Sequence, residues 1–451
     1  MDVLFRFCAG LDIHKKTVVA CRVRTSPHGR IERETRTFGT TTRALLALLD
    51  WLREWGLTHV AMESTGEYWR PVWAILEGHL ELLLVNPQHV KNVPGRKTDV
   101  QDAEWLAELL RHGLLKASFV PPQPQRELRD LTRGRTLLVE ERARVLNRIQ
   151  KVLEAANIKL ASVVSDINGV SARAMLAALI AGESDPEVLA ALARGRLQRK
   201  QEELTEALLG SVREHHRFLL QEHLTHLDFL DTRIAAFDAQ IVAAIDRLSG
   251  PTGPAGPDDT ADGDAFSVPA RPVRGAQPPP PPSYAEAIAL VLPIPGIARR
   301  IAEGALAEVG PDMAQYPGPG HLTSWSGLAP GNRQSGGKSL PAGTRHGNAT
   351  LRKLMVQAAH GAIRTKGSYF GALYHRLAPR RGKKRAIVAV ARSLLVVLYH
   401  VLRWREPYRE LGSDYFDRRQ QEHTANHLLQ RLQKLGYEVS LTPTRPAAVP
   451  A

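Results

Sequence analysis

A proline- and glycine-rich segment at residues 250–283 divides this chain of 451 residues. Pro, Gly and Asp make up most of the segment, and it ends in five consecutive prolines before Ser283. Such a composition buries too little apolar surface to offset the conformational entropy that ordering would cost. We therefore expect a flexible linker between separately packed units, which the length of the chain also favours.

Residues 1–115 carry the pattern of an α/β domain. Strand-like runs alternate there with helix-like stretches, the runs at 8–24, 58–62 and 82–86 and the helix-like stretches at 42–54 and 68–77. The first run alternates apolar and polar side chains as one or two strands would. Strands interleaved with helices indicate an α/β fold.

Residues 116–249 change to a helical pattern. Arg and Glu are frequent from 125 to 160, and a heptad repeat follows. Apolar side chains occupy every seventh position and companion positions between them, at Leu220, Leu227, Ile234, Ile241 and Leu248, with Leu230, Phe237 and Ala244. Such a seam packs either inside a helical bundle of one chain or in a coiled coil between chains, and both alternatives stay open.

Residues 284–419 are mainly helical in pattern and strongly basic. The net charge of the chain is +14, and residues 331–419 contain 19 Lys and Arg against four Asp and Glu. This is the footprint of a phosphate-binding surface, although a basic total alone also suits a membrane-surface protein or a merely soluble one. The longest apolar run, 386–402, contains an arginine and a histidine and indicates a buried helix, not a membrane span.

The chain contains two cysteines, Cys8 and Cys21, and no Cys-x-x-Cys pair. This argues against a disulfide framework and a structural zinc site, and it indicates a reducing compartment such as the cytoplasm. Residues 1–12 lack the charged, apolar and small-residue series of a secretion signal.

Four carboxylates occur where a cation would compensate for burial. Asp12 lies in the apolar run GLDI, and Glu63 ends the run VAME. Asp99 and Asp102, three residues apart at the start of the helix-like stretch 98–110, project from one helix face. Phosphoryl transfer on nucleic acid uses paired divalent ions, and Mg²⁺ prefers carboxylate ligands. We therefore predict that these four carboxylates form a Mg²⁺ site. The alternative for each residue is a structural role as a helix cap or turn residue. Three neighbours are interpreted as solvated helix faces: Glu67, Glu104 and Glu108.

A second constellation is the loop GNRQSGGKS at residues 331–339. Two glycines follow Ser335 and let a phosphate approach the backbone, while Arg333 and Lys338 can offset its charge. The letters nearly form a Walker A loop, but five residues separate the outer glycines where four are needed, and no buried strand precedes them. A plain glycine-rich loop is the alternative.

Two further segments suit nucleic acid. Residues 292–298 have the turn chemistry of a helix-hairpin-helix, whose amides can hold a phosphate, or form a plain helix connection. A basic run follows, consisting of Arg380, Arg381, Lys383, Lys384 and Arg385. The nearby Tyr369, Phe370 and Tyr374 suit base stacking, although core packing is the favoured interpretation.

The chain resembles the DEDD transposases of the insertion-sequence IS110 family. Residues 8–160 do so in the blocks GLDIHKK, AMESTGEYW and NPQHVKNVPGRKTDVQDAEWLAELLRHG. The blocks LPIPGIARRIAEGALAEVG, SWSGLAPGNRQSGGKS and RHGNATLRKLMVQAAHGAIR resemble that family's C-terminal transposase domain. The resemblance implies a ribonuclease H-like fold similar to RuvC-type junction resolvases, a structured guide RNA that pairs with donor and target DNA, and a set of site residues. Those are Asp12, Glu63, Asp99 and Asp102 as metal ligands, and Ser335, not Ser339, as the residue that holds a DNA strand as a phosphoserine ester.

These observations predict an α/β plus all-α chain. Its parts are a ribonuclease H-like catalytic domain (1–115), a helical arm with the coiled-coil seam (116–249), the linker (250–283), a basic, mainly helical serine domain (284–419) and a tail (420–451). We expect a homo-oligomer, a dimer or tetramer, that acts in the cytoplasm on DNA with Mg²⁺ and a noncoding RNA, without ATP or a membrane. The rivals are a Holliday-junction-type nuclease that uses carboxylates and water alone, and a noncatalytic nucleic-acid-binding protein.

Overall fold

The computed structural model describes residues 3–26, 29–64, 66–86, 99–250, 277–331, 334–335, 338–339, 343–344, 346–419 and 421–438. The chain divides into two compact units, Met1–Pro121 and Pro122–Ala451. Most of the predicted linker and the end of the predicted tail lie outside the described residues. The finer division of the second unit into arm, linker and serine domain stays a prediction.

A mixed five-stranded sheet forms the centre of the first unit, in the order β3-β2-β1-β4-β5. Its strands are β1 (Phe7–Ile13), β2 (Thr17–Thr25), β3 (Ile31–Gly39), β4 (His59–Glu63) and β5 (Glu81–Val85). The strands β1, β2 and β3 are antiparallel neighbours, whereas β4 and β5 run parallel to β1. The predicted run 8–24 is therefore two strands. The strand β3 is absent from the sequence-based expectation because it is charged and nowhere fully buried.

Helices cover both faces of this sheet. Helices α1 (Thr42–Glu54) and α2 (Trp69–Leu76) pack on the face that carries Leu11, and both match their predicted stretches within a residue or so. Helix α3 (Asp99–Arg111) packs on the opposite face, which carries Cys8. Side chains along a strand point alternately to the two faces of the sheet. The face to which a carboxylate points therefore decides which helix it lies beneath.

Gly10 of β1 lies directly beneath α3. A Cβ built on it would lie 2.3 Å from the carbonyl oxygen of Ala103 and 2.5 Å from the amide nitrogen of Ala107. The backbone N–H groups of the pair Leu4–Phe5, just before β1, donate to the carbonyl oxygen of Arg111 at 2.9 and 3.1 Å. Helix α3 therefore runs antiparallel to β1, and its first turn lies toward the carboxyl end of that strand.

Two long antiparallel helices, α4 (Gln123–Ala155) and α9 (Glu214–Ser249), pack along each other in the second unit. Ion pairs join them, for example between Arg142 Nε and Asp231 Oδ1 at 2.5 Å. Shorter helices cap one end of the pair, α5 (Leu160–Val163), α6 (Val170–Ala181), α7 (Pro186–Ala190), a 3-10 turn (Gly195–Lys200) and α8 (Gln201–Leu208). The heptad seam is buried between helices of this same chain, which is the bundle alternative.

The remaining elements include one long helix, on which several of the others pack. They are α10 (Tyr284–Val291), α11 (Arg299–Val309), a 3-10 turn (Met313–Gln315), α12 (Pro319–Trp325), β6 (Gln334–Ser335), β7 (Lys338–Ser339), α13 (Ala349–Ala362), α14 (Tyr369–Arg381), α15 (Lys383–Trp404), α16 (Tyr415–Arg419) and α17 (Gln421–Lys434). By length and composition α15 could cross a membrane, with a mean hydropathy of 1.8, but 56% of its most apolar stretch is buried in the protein. This is the setting of a core helix, as predicted. The same core includes Leu128 of α4 and Ile241 of α9.

We predict that Gly10→Ala destabilises the first unit by about 1–3 kcal/mol, because the added methyl group must displace the backbone of α3. The measurement is urea unfolding of the whole chain, followed by hydrogen exchange of peptides from β1 and β2. Gly39→Ala is the matched control, since a Cβ there would meet its nearest neighbour, the Cβ of Ala44, at an ordinary 3.5 Å. Equal stability of the two variants would contradict close packing at Gly10.

Candidate active site

Asp12 and Glu63 lie side by side at the carboxyl ends of adjacent parallel strands. β1 and β4 are paired up to the residue that precedes each carboxylate. Both side chains point to the face covered by α3, because Cys8 and Ala61, which share their alternation, are buried against that helix. Asp12 is buried and Glu63 is half-buried. The structure therefore brings together two of the four predicted carboxylates.

Asp12 has a partner that the sequence-based expectation does not include. Nε2 of His14 lies 3.1 Å from Oδ2 of Asp12, and the histidine side chain is half-exposed. The carboxylate accepts this hydrogen bond when the ring nitrogen carries its proton. The sequence carries only a partial signal for the pair: His14 directly follows β1, two residues after Asp12, and alternate residues of an extended chain point to one face.

Helix α3 begins at Asp99, as the helix-like stretch 98–110 predicts. Asp102 is half-buried and directly precedes Ala103, which packs against the sheet. Because α3 runs antiparallel to β1, Asp102 lies toward the strand end that carries Asp12. The side chain of Asp99 is not among those that the structure describes.

The described carboxylates supply a suitable donor set for Mg²⁺ but not a closed coordination shell. Among the residues that the structure describes, no three His, Cys, Asp or Glu side chains come close enough together to hold a metal ion. What they offer is carboxylate oxygen from β1, β4 and α3, the ligand type that Mg²⁺ prefers. The four-carboxylate Mg²⁺ site remains a prediction.

Both cysteines also lie on the face beneath α3. Burial raises the pKa of Cys8 to about 12, and burial also raises the pKa of Cys21. Thiols of this kind stay protonated and are poor metal ligands, since thiolate is the ligating form. The chemistry of this face therefore rests on its carboxylates.

The three neighbouring glutamates fit their interpretation as solvated helix faces only in part. Glu67 is exposed but lies in the turn before α2, and Glu104 and Glu108 are half-buried on α3. Glu67 pairs with the arginine three residues later at 2.7 Å, and Glu104 accepts a hydrogen bond from Thr35 at 3.4 Å. Burial alone would raise the pKa of Glu108, but hydrogen bonding and attraction by Arg111 outweigh it, so the pKa is lowered.

Ser335 lies in a small antiparallel hairpin. β6 and β7 pair so that Ser335 stands opposite Lys338. The base of the hairpin is closed by pairing between residues 330–331 and 343–344, including a 2.8 Å backbone hydrogen bond. The side chains of Ser335 and Lys338, and the whole of Arg333, fall outside the described part of the chain.

The predicted basic run surrounds the turn between α14 and α15. All five of its side chains are exposed: Arg380, Arg381, Lys383, Lys384 and Arg385. The neighbouring aromatic residues instead belong to the protein core. Phe370 is fully buried, Tyr374 packs against the core, and Tyr369 stacks on Phe416 with 5.3 Å between ring centroids. Core packing, the favoured interpretation of these rings, is what the structure shows.

The turn between α10 and α11 packs tightly on α13. A Cβ at Gly296 would lie 2.1 Å from the carbonyl oxygen of Ala358 and 2.6 Å from the amide nitrogen of Ala362. Helix packing therefore accounts for this glycine without a bound phosphate, which favours the plain helix connection over a phosphate-binding turn.

Two family models match the chain. The model for the DEDD transposases of the IS110 family, described as a transposase, matches residues 9–158. The model described as transposase IS116/IS110/IS902 family matches residues 288–375. The transposase for insertion sequence element IS1111A of Coxiella burnetii (strain RSA 493 / Nine Mile phase I) is 32% identical over 120 residues. That alignment covers 26% of this chain and 33% of the relative, so the chain spans about a third of the length of this curated relative.

The carboxylates Asp12 and Glu63 lie within the first matched stretch, and the hairpin of Ser335 lies within the second. The two matched stretches together span more than half of the chain. The chain belongs to the IS110 family of transposases.

We predict that replacing Lys383, Lys384 and Arg385 together by Ala flattens the salt dependence of DNA binding. Each lost phosphate contact should lower the slope of log affinity against log salt by about 0.9. The measurement is fluorescence anisotropy on labelled duplex at several salt concentrations. A triple Ala variant of Arg196, Arg199 and Lys200, also exposed, matches the change in charge and should keep the slope. Equal slopes in the two variants would show that the run does not contact phosphate.

Proposed function

We propose that this chain is a DNA transposase that cleaves and rejoins strands of an insertion sequence. The observation that carries the proposal is the pairing of Asp12 and Glu63 at adjacent strand ends beneath α3, within the stretch that matches the family. The mixed sheet with helices on both faces is consistent with a ribonuclease H-like fold. The curated relative cited above is named as an insertion-sequence transposase, which supports the same activity.

The proposed roles of the acidic residues rest on the family resemblance and, for Asp12, Glu63 and Asp102, also on their positions. Asp12, Glu63, Asp99 and Asp102 would hold Mg²⁺, which supplies charge stabilisation at the phosphate and activates a nucleophile. With a proton on Nε2, His14 donates to Asp12 and would thereby orient the buried carboxylate, as partners of ligating groups commonly do. Gln101, in the first turn of α3, is exposed, and we propose that DNA approaches the site from that side.

Ser335 is the proposed nucleophile. Its Oγ forms a bond to a DNA phosphorus as the bond from that phosphorus to one strand end breaks, and the end leaves as a hydroxyl. The hydroxyl of another strand then attacks the phosphoserine ester and releases the serine, so rejoining needs no ATP. Arg333 and Lys338 flank the serine in sequence and would offset the charge on the phosphate. The resemblance of this block to the family's serine block supports the role.

The basic run at the turn between α14 and α15 is proposed to bind the DNA backbone. A structured guide RNA, assembly into a dimer or tetramer, and action in the cytoplasm are proposals that rest on the resemblance. A junction nuclease without serine chemistry is the second candidate, because the paired carboxylates alone would serve it. The two candidates differ in whether Ser335 is required.

We predict that Asp102→Asn lowers Mg²⁺-dependent strand cleavage at least about 100-fold, because the amide keeps the shape and loses the charge that a metal requires. DNA affinity should change little. Cleavage of end-labelled DNA that spans the ends of the element provides the measurement. Glu104→Gln, two residues along α3, is the control and should cleave normally. Full activity of Asp102→Asn would remove this residue from the site.

The sharpest prediction concerns the serine. Wild type, with its RNA and Mg²⁺, should form a protease-sensitive adduct on nicked, end-labelled DNA, seen by denaturing electrophoresis and mapped to Ser335. Ser335→Ala should form no adduct and no exchanged product, while Ser339→Ala should form both. A junction nuclease would keep nicking DNA in the Ser335→Ala variant, since water is its nucleophile. Normal recombination by that variant, or an adduct at Ser339, would reject the serine mechanism.

A further inference from the structure

A buried cluster of charges lies in the second unit. Glu308 of α11 is completely buried. Its two carboxylate oxygens accept hydrogen bonds from Nε and Nη2 of Arg133 at 2.7 and 2.9 Å. Arg129 lies one turn away on α4, with Nε at 3.4 Å from the carboxylate and at 3.0 Å from the carbonyl oxygen of Ala307. A buried charge persists only where it is paired and hydrogen-bonded in this way.

Asn348 is another partner of Glu308. Nδ2 of Asn348 donates to Oε2 of Glu308 at 2.6 Å, and Oδ1 accepts from the backbone N–H of Leu351 at 2.9 Å. The second contact caps the start of α13. Both halves of the amide are therefore used, one as a donor and one as an acceptor. Aspartate would cap the helix equally well but would place a second carboxylate against Glu308.

Asn348 also ends the chain segment that carries Ser335. The segment leaves α12 shortly after Trp325, closes on itself through the pairing of residues 330–331 with 343–344, and returns to Asn348. The backbone N–H of Asn348 donates to the carbonyl oxygen of Trp325 at 2.9 Å. The exit of the segment is thus tied to its entry by one backbone bond and to α11 by one side-chain bond.

We propose that the contact between Asn348 and Glu308, held in place by Arg133, is the anchor that positions the hairpin of Ser335. Asn348 and Glu308 are then positioning residues for strand exchange and touch no DNA themselves. The expected effect of these two residues on strand exchange rests on the proposed role of Ser335. The anchor itself does not depend on that role, because it concerns only the bonds that hold residues 330–331 and 343–344 in place.

The test compares Asn348→Asp with the double variant Asn348→Asp/Glu308→Gln. The single variant sets two carboxylates against each other, whereas the double variant exchanges the positions of amide and carboxylate and keeps one negative charge beside Arg133. Hydrogen exchange of the peptide that contains Gly331 and Thr344 is the first readout. We expect Asn348→Asp to accelerate amide exchange of this peptide about tenfold or more, since a hydrogen bond to a charged group is worth at least that factor. The double variant should return most of the exchange rate to the wild-type value.

Strand exchange is the second readout, and its turnover should fall and recover in parallel while DNA affinity stays constant. Lys353→Gln is the control, since Lys353 lies on the same helix and pairs with Glu140 at the surface. Should Asn348→Asp fold poorly, Asn348→Ser keeps a cap oxygen, loses the amide donor and should still accelerate exchange of the hairpin peptide.

Two results would overturn the anchor. One is unchanged hairpin exchange in every Asn348 variant. The other is acceleration that extends equally through α11, α13 and α15, which would make Asn348 and Glu308 general stabilising residues. Amide exchange does not depend on catalytic activity. Normal recombination by Ser335→Ala would therefore reject the serine mechanism, but the hydrogen-exchange test of the anchor would still give a result.

Discussion

The contact of α3 with the bare backbone of Gly10 sets the geometry on which the candidate site depends. Without a side chain at Gly10, Ala103 and Ala107 reach the strand itself. The helix is thereby held along β1, with its first turn toward the strand end that carries Asp12. A larger residue would lift the helix and move Asp102 away from the two carboxylates of the sheet.

The second unit relies on a different balance of forces. Its helices bury a large apolar core, yet they also enclose Glu303 and Glu308 of α11. Arg135 of α4 meets Glu303 at 2.6 Å and Asp238 of α9 at 2.8 Å, so charged contacts join three helices that are far apart in sequence. Buried ion pairs of this kind contribute little net stability, but breaking one leaves an uncompensated charge. They therefore favour one arrangement of these helices over others of similar apolar burial.

Several features of the fold and site are readable from local sequence. The bounds of α1 and the start of α3 follow from apolar periodicity, because a helix that packs on a sheet needs one continuous apolar face. β3 could not be read in this way, since an edge strand held by pairing and cross-strand charges, such as Arg24 with Glu32, needs no apolar alternation. The contact of His14 with Asp12 was not predicted for a related reason, because its role depends on the burial of Asp12.

The sequence by itself determined the family, the order of α/β and helical parts, and which residue types occur at each candidate position, because these depend on neighbours within a few residues or on matched blocks. Tertiary structure decided that Asp12 and Glu63 are adjacent and face α3, that the heptad seam packs within the chain, and that Asn348 meets Glu308. The physical reason is that strand register, helix direction and burial are set by contacts between segments up to hundreds of residues apart, and local periodicity carries no record of those partners.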